Sequence, residues 1–227
     1  LEAQVLIPIE HPDEQALDLD IAVERVSSIS YYPALFEAAF GDAAVTSDRI
    51  SKALSQFIRS MLSYRSKYDS GLANNFVDFT EQELLGKELF FNGETRCNQC
   101  HMTALFYTPG SMNNGLEYPY ADLGVGAVTG NPSDNGKFKV VTLRNLSYTA
   151  PYMHDGRFTT LEEVVNHYNG NIVQQANLDD RLTVGFVPGG TPIDPGLGEA
   201  EVAALVSFLR TLDDVFFVSD EMYSDPF

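Results

Sequence analysis

A mainly α fold is predicted by three features: apolar residues spaced three and four apart, two helix-opening capping boxes, and Gly/Pro-rich loops with little strand signal. The spacing is clearest over about 47–65, where Ile50, Leu54, Phe57, Ile58, Met61 and Leu62 recur on one side and Thr46 or Ser47 supplies a cap. That helix is expected to pack its apolar face on a core. Thr80 and Glu83 form the first capping box, ahead of Leu84, Leu85, Leu89 and Phe90. Thr160 and Glu163 form the second, opening a helix that runs to about Asn169. A last helix is expected where Val202, Leu205, Val206, Leu209 and Leu212 share a face. Only the piece from Phe138 to Leu143 reads as extended.

The loops carry information too. From Thr108 to Lys137 the chain is rich in Gly, Asn and Pro, and a second such stretch runs from Gly185 to Gly198. Long irregular loops in a compact domain commonly wrap a ligand. Residues 1–79 are expected to form a helical segment packed on a domain of residues 80–227. The net charge of −18, from 32 acidic and 14 basic residues, disfavours nucleic acid and suits either attraction of a basic protein partner or an acidic coat that only keeps the protein in solution. No apolar run approaches the roughly 20 residues of a membrane span, so none is expected. With no initiator Met and no signal-like start, the chain reads as a product whose export signal has been removed.

Only two cysteines occur, in the run Cys97-Asn98-Gln99-Cys100-His101. A disulfide between them would close a loop too short to stabilise a chain of this length. Thiols at this spacing suit addition to the two vinyl groups of haem, with His101 falling beneath the iron as its proximal ligand. Zinc would need further ligands, and no second Cys pair exists. A thioredoxin-like pair would lie between a strand and a helix, and that pattern is missing. One covalent haem c is therefore expected, in a cytochrome c-like domain with long irregular loops and an additional N-terminal helical segment. Such a cofactor implies electron transfer or peroxide chemistry outside the cytoplasm, in the periplasm.

The other face of the iron has several candidate ligands: Met112, Met153, His154, His167, Tyr168 and Met222. On a helical wheel, Val164, Val165 and Tyr168 lie within about 60° of Leu161, whereas His167 lies about 120° away. Tyr168 is thus expected to face inward and His167 to face the polar edge. A buried tyrosine bonded to some carbonyl is the alternative for Tyr168. A thioether ligand would raise the haem potential and a phenolate would lower it.

With these residues in view, the chain resembles the bacterial di-haem cytochrome c peroxidase family, which includes the MauG-type enzymes. The run from Phe138 to Asn145, continuing through Thr149-Ala150-Pro151-Tyr152-Met153-His154-Asp155-Gly156, is similar to the family's FKxPxLRN…TxPYxHDG signature, with Val141 where Pro is usual. Leu161-Glu162-Glu163-Val164-Val165 follows as in the family. Tyr31, Pro33, Leu35, Phe36, the Ala39-Phe40-Gly41 run and the run from Ile7 to Pro12 also match.

The resemblance implies two haems in two domains, one reacting with hydrogen peroxide and the C-terminal one passing electrons to it. This chain resembles the C-terminal part, and the second haem would sit in an N-terminal haem domain or on a second haem-bearing chain. A stand-alone mono-haem carrier and a MauG-like oxidative protein-modifying enzyme are the alternatives. The family's distal ligand lies nineteen residues after the Thr of TxP, which is Tyr168 counted from Thr149. Methionine at that place marks the peroxidases and tyrosine the MauG-like members. The resemblance also implies calcium on the backbone carbonyls of Thr149 and Pro151 and places Arg144 beside a haem propionate, with a structural ion pair as the alternative. His154 is the candidate acid–base group if the chain carries out peroxide chemistry itself. A small basic cytochrome is the expected electron donor.

Overall fold

The computed structural model describes residues 1–225, which form two compact units, Leu1–Leu62 and a second beginning at Ser63. The fold is mainly α, as expected. The first unit contains α1 (Ile7–Glu10), α2 (Leu19–Ser28), α3 (Tyr32–Phe40) and α4 (Ser47–Ser60). Asp18 caps α2 by accepting from the Asp20 and Ile21 amides, and Thr46 caps α4 by accepting from the Arg49 amide. Arg49 in turn makes a bidentate ion pair with Asp42, fixing the turn between α3 and α4.

α4 ends earlier than expected and its packing is inverted. Its buried positions are Ser51 and Ser55, while Leu54, Phe57 and Ile58 are 39%, 46% and 43% exposed. Periodicity identifies an apolar stripe but not the element that covers it, and here small serines form the buried side.

The second unit contains α5 (Lys67–Asn74), α6 (Glu81–Phe91), α7 (Cys97–Cys100), α8 (Val125–Thr129), α9 (Leu161–Tyr168), α10 (Glu199–Arg210) and α11 (Val215–Val218). Two short strands, β1 (Ser111–Met112) and β2 (Phe138–Lys139), pair antiparallel with Met112 opposite Phe138. Both expected capping boxes are present. The Thr80 and Thr160 hydroxyls accept from the Glu83 and Glu163 amides, and the two carboxylates reach back to the Thr80 and Thr160 amides.

The boundary expected after residue 79 lies earlier, between Leu62 and Ser63. Tyr68 and Phe79 belong to the same core as Leu89, Phe90, Phe106, Leu161, Val165 and the buried face of α10. The Tyr68 amide also bonds the Thr211 carbonyl at 2.9 Å, and Asn145 donates to the Ser63 hydroxyl at 3.0 Å. A segment so bonded cannot be divided from the core it helps to build.

At the centre of that core α6 crosses α10 at very close range. A Cβ on Gly86 would stand 1.9 Å from the Ala204 carbonyl oxygen, so only glycine permits the crossing. Val202, Leu205, Val206, Leu209 and Leu212 are all buried, as their spacing predicts. Around the crossing the rings of Tyr68, Phe90, Phe106 and Phe208 pack edge-on or tilted, with centroids 5.0–6.3 Å apart. A second apolar cluster, Ile172, Leu178, Leu182 and Ile193, packs against Tyr168.

The loop from Thr108 to Lys137 is irregular but held from within. Asn113, 2% exposed, accepts from the Gly115 amide and the Gln175 side chain and donates to the Asn135 carbonyl. A buried amide satisfied on both its oxygen and its nitrogen ties three chain segments together.

Candidate haem site

α7 is a single turn, and it places Cys97 and Cys100 on successive corners with His101 just beyond. The residue before it, Arg96, adopts a left-handed conformation (φ 55°) and donates to the Arg181 and Thr183 carbonyls at 3.0 and 2.8 Å. Its guanidinium lies 4.2 Å from the Phe186 ring centroid. The turn is thereby fastened to the segment 181–186.

Both cysteines are free thiols. Burial pushes the Cys97 thiol up, and burial pushes Cys100 to about 11. Among the described residues no cluster of three His, Cys, Asp or Glu side chains stands ready to hold a metal ion.

His101 is oriented by the core. Its Nδ1 lies 2.8 Å from the Phe106 carbonyl oxygen, and Phe106 is itself 2% exposed among the aromatic rings. A proton on Nδ1 bonded in this way leaves Nε2 with its lone pair free for iron. Burial lowers the His101 pKa, opposed by the Phe106 and Val141 carbonyls.

Tyr168 closes α9, and burial pushes its phenol up to about 12, opposed by the hydrogen bond from Asn114. The Asn114 side-chain amide donates to the Tyr168 hydroxyl oxygen at 3.3 Å and approaches the Met153 sulfur at 3.6 Å. The tyrosine bonds a side-chain amide, not the carbonyl of the alternative sequence reading.

One expectation needs correction. His167, expected at the polar edge, is 4% exposed, and its Nε2 lies 3.1 Å from the Asn114 carbonyl oxygen. The loop carrying Asn114 covers that side of α9, and a helical wheel cannot foresee a cover supplied from 53 residues away. Arg144, for which a propionate contact and a structural ion pair are the two expectations, is 8% exposed and pairs in two-pronged fashion with Asp69 at 2.7 and 2.8 Å. It also donates to the Ala104 carbonyl at 2.9 Å, bracing the segment just after His101. The ion pair is the alternative noted for this arginine.

His154 is exposed, with its ring stacked on Phe138 at 3.7 Å and 8°. It lines a small cleft with Asn113, Asn114, Glu117 and Tyr120. Thr149 and Pro151 lie on an exposed loop. Of the other candidate ligands, Met112 lies in β1 and Met222 is 63% exposed. The sequence reading passed over Arg96, Arg181 and Asn114. No motif marks them, and Asn114 stood only as loop composition.

The residues present fit haem c: two thiols one turn apart, followed by an imidazole whose Nδ1 is anchored on a buried carbonyl. Such a centre on a mainly α scaffold defines a c-type haem protein. A family model described as di-haem cytochrome c peroxidase matches residues 1–76. The chain belongs to the di-haem cytochrome c peroxidase and MauG family.

It is 33% identical over 216 residues to the cytochrome c551 peroxidase of Nitrosomonas europaea, covering 93% of this chain and 58% of that one. It is 31% identical to the methylamine utilization protein MauG of Methylophilus methylotrophus, covering 94% and 61% respectively. A crystal structure of a MauG-like protein associated with microbial copper homeostasis superposes with a TM-score of 0.80 at 29% identity, covering 100% of this chain and 72% of that one. The chain thus spans about three-fifths of the length of the two curated relatives.

Proposed function

We propose that this chain supplies one haem c centre of a peroxidase-type oxidoreductase, relaying electrons for peroxide reduction at a second haem. Cys97 and Cys100 would hold the macrocycle, and His101 and Tyr168 would ligate its iron. When bound, haem iron supplies one-electron redox chemistry at a potential set by its axial ligands and surroundings. The chain's own contributions are orientation and exclusion of water. Phe106 aims the imidazole, the aromatic core shields it, and the second apolar cluster packs behind Tyr168.

The observation that carries the proposal is His101, its Nδ1 anchored on the Phe106 carbonyl, directly after two cysteines one helical turn apart. Mass spectrometry of the matured chain should show one haem added; an unmodified mass ends the proposal. Replacing Tyr168 by Phe should change the ferric optical and spin-resonance spectra, whereas unchanged spectra would remove Tyr168 as a ligand.

Tyrosine at this place favours a MauG-like electronic role over that of the methionine-bearing peroxidases. The stand-alone carrier is favoured by one observation only, the single CxxCH. Co-purification of a polypeptide bearing its own CxxCH separates the two.

The same reading includes periplasmic export, a basic cytochrome as electron donor, and a calcium ion on the Thr149 and Pro151 carbonyls. No backbone amide among the described residues takes either carbonyl, so both remain available to a hard cation. Chelation should then lower the melting temperature of the haem-loaded protein, with calcium restoring it. An unchanged melting curve argues against the ion.

A further inference from the structure

Around Tyr168 the structure assembles a polar node that the proposed haem chemistry does not by itself require. One nitrogen, the side-chain Nδ2 of Asn114, lies 3.3 Å from the Tyr168 hydroxyl and 3.6 Å from the Met153 sulfur. Each contact can use one of the two amide hydrogens. The backbone of the same residue is pinned separately, because the Asn114 carbonyl bonds the buried His167 ring at 3.1 Å. His167 and Tyr168 are consecutive on α9, with ring centroids 4.9 Å apart at 72°. The amide therefore approaches Tyr168 from a fixed point.

Met153 is held no less firmly. Its backbone lies in the left-handed region at φ 72°, unusual for a side chain of this size, and it precedes a chain reversal in which the Gly156 amide bonds the Met153 carbonyl. A hydroxyl oxygen and a thioether sulfur, two donors with opposite effects on haem potential, thus share a single hydrogen-bonding partner.

We propose that Asn114 is the positioning residue that selects Tyr168 over Met153 as the oxygen or sulfur donor offered to the haem. One amide hydrogen would hold the Tyr168 oxygen in place, and the other would engage a Met153 lone pair and so keep the sulfur from serving as a ligand. The inference rests on the assignment of Tyr168 as distal ligand. It adds that Met153 is the reserve donor and that Asn114 sets the choice.

Two variants of the haem-loaded chain test this. Asn114→Leu removes the donor, and Asn114→Asp keeps the shape while replacing the amino group with an acceptor. The backbone bond to His167 survives in both, and a melting curve establishes that each is folded. Both should lose the tyrosine-type ferric spectrum and gain the near-infrared charge-transfer band of a sulfur–iron bond. Adding Met153→Leu should abolish that band. Asn114→Gln, which restores the amide, should recover part of the parental spectrum.

Tyr168→Phe is the control. If it leaves the spectrum unchanged, the ligand assignment fails and the inference falls with it. If it changes the spectrum while folded Asn114→Leu and Asn114→Asp match the parent, the selecting role of Asn114 alone is overturned. A new band that persists after Met153→Leu overturns the reserve role of Met153.

Discussion

At the residue scale the chain spends its buried polar groups on holding the CxxCH turn. Arg144 and Asp69 illustrate this. Their side chains are 7% and 18% exposed, and the pair links α5 to the segment just beyond His101 through the Ala104 carbonyl. Burial alone would raise the Asp69 carboxyl, but Arg144 and the Ser66 donors outweigh it and hold it below the usual aspartate range. Asp69→Asn should therefore cost about 3 kcal/mol, since it leaves the guanidinium buried without its charge partner. The sign of the pH effect follows from the lowered value. The contribution is complete at neutral pH, and as the pH falls below about 4 the unfolded chain takes up the proton first, so stability drops. Urea unfolding of parent and variant at neutral and acid pH should show the gap narrow on acidification. A gap that widens on acidification contradicts this account.

At the element scale the decisive contact is the crossing of α6 and α10. Gly86 lets the backbones meet, and that crossing seats Phe90 and Phe208 against Phe106, whose carbonyl aims His101. Gly86→Ala forces the helices apart against a backbone carbonyl that cannot rotate away. The expected cost is about 2 kcal/mol, with a lower melting temperature. Because the displacement passes through Phe106 to the imidazole, the haem potential should shift as well. A destabilised variant with an unaltered potential would break this link between core and site. The capping boxes at Thr80 and Thr160 act more locally, each contributing about 1 kcal/mol to its own helix.

At the scale of the whole molecule, charge governs encounter. With 32 acidic and 14 basic residues, the chain would attract a positively charged partner over distances comparable to the screening length. Electron transfer from a basic cytochrome should slow by about tenfold between low and physiological ionic strength. An acidic donor should show no such slowing. A rate from the basic donor that is indifferent to salt would leave the acidic surface with a solubility role only.

The sequence by itself determined the CxxCH motif and the helices with capping boxes or regular apolar spacing. CxxCH is a local motif whose spacing lies within one helical turn, so Cys97, Cys100 and His101 could be read without knowing what surrounds them. Capping boxes and the spacing of α10 were legible for the same reason, being set by residues three and four apart. What only the tertiary structure decided was whatever depends on segments distant in the chain. The burial of His167 beneath the Asn114 loop, the pairing of Arg144 with Asp69 and the joining of residues 63–79 to the second unit all arise that way. So does the exposed apolar side of α4. Periodicity describes one element's own surface, whereas burial and hydrogen-bond partners belong to pairs of elements, and the distal side of this site is built from such pairs.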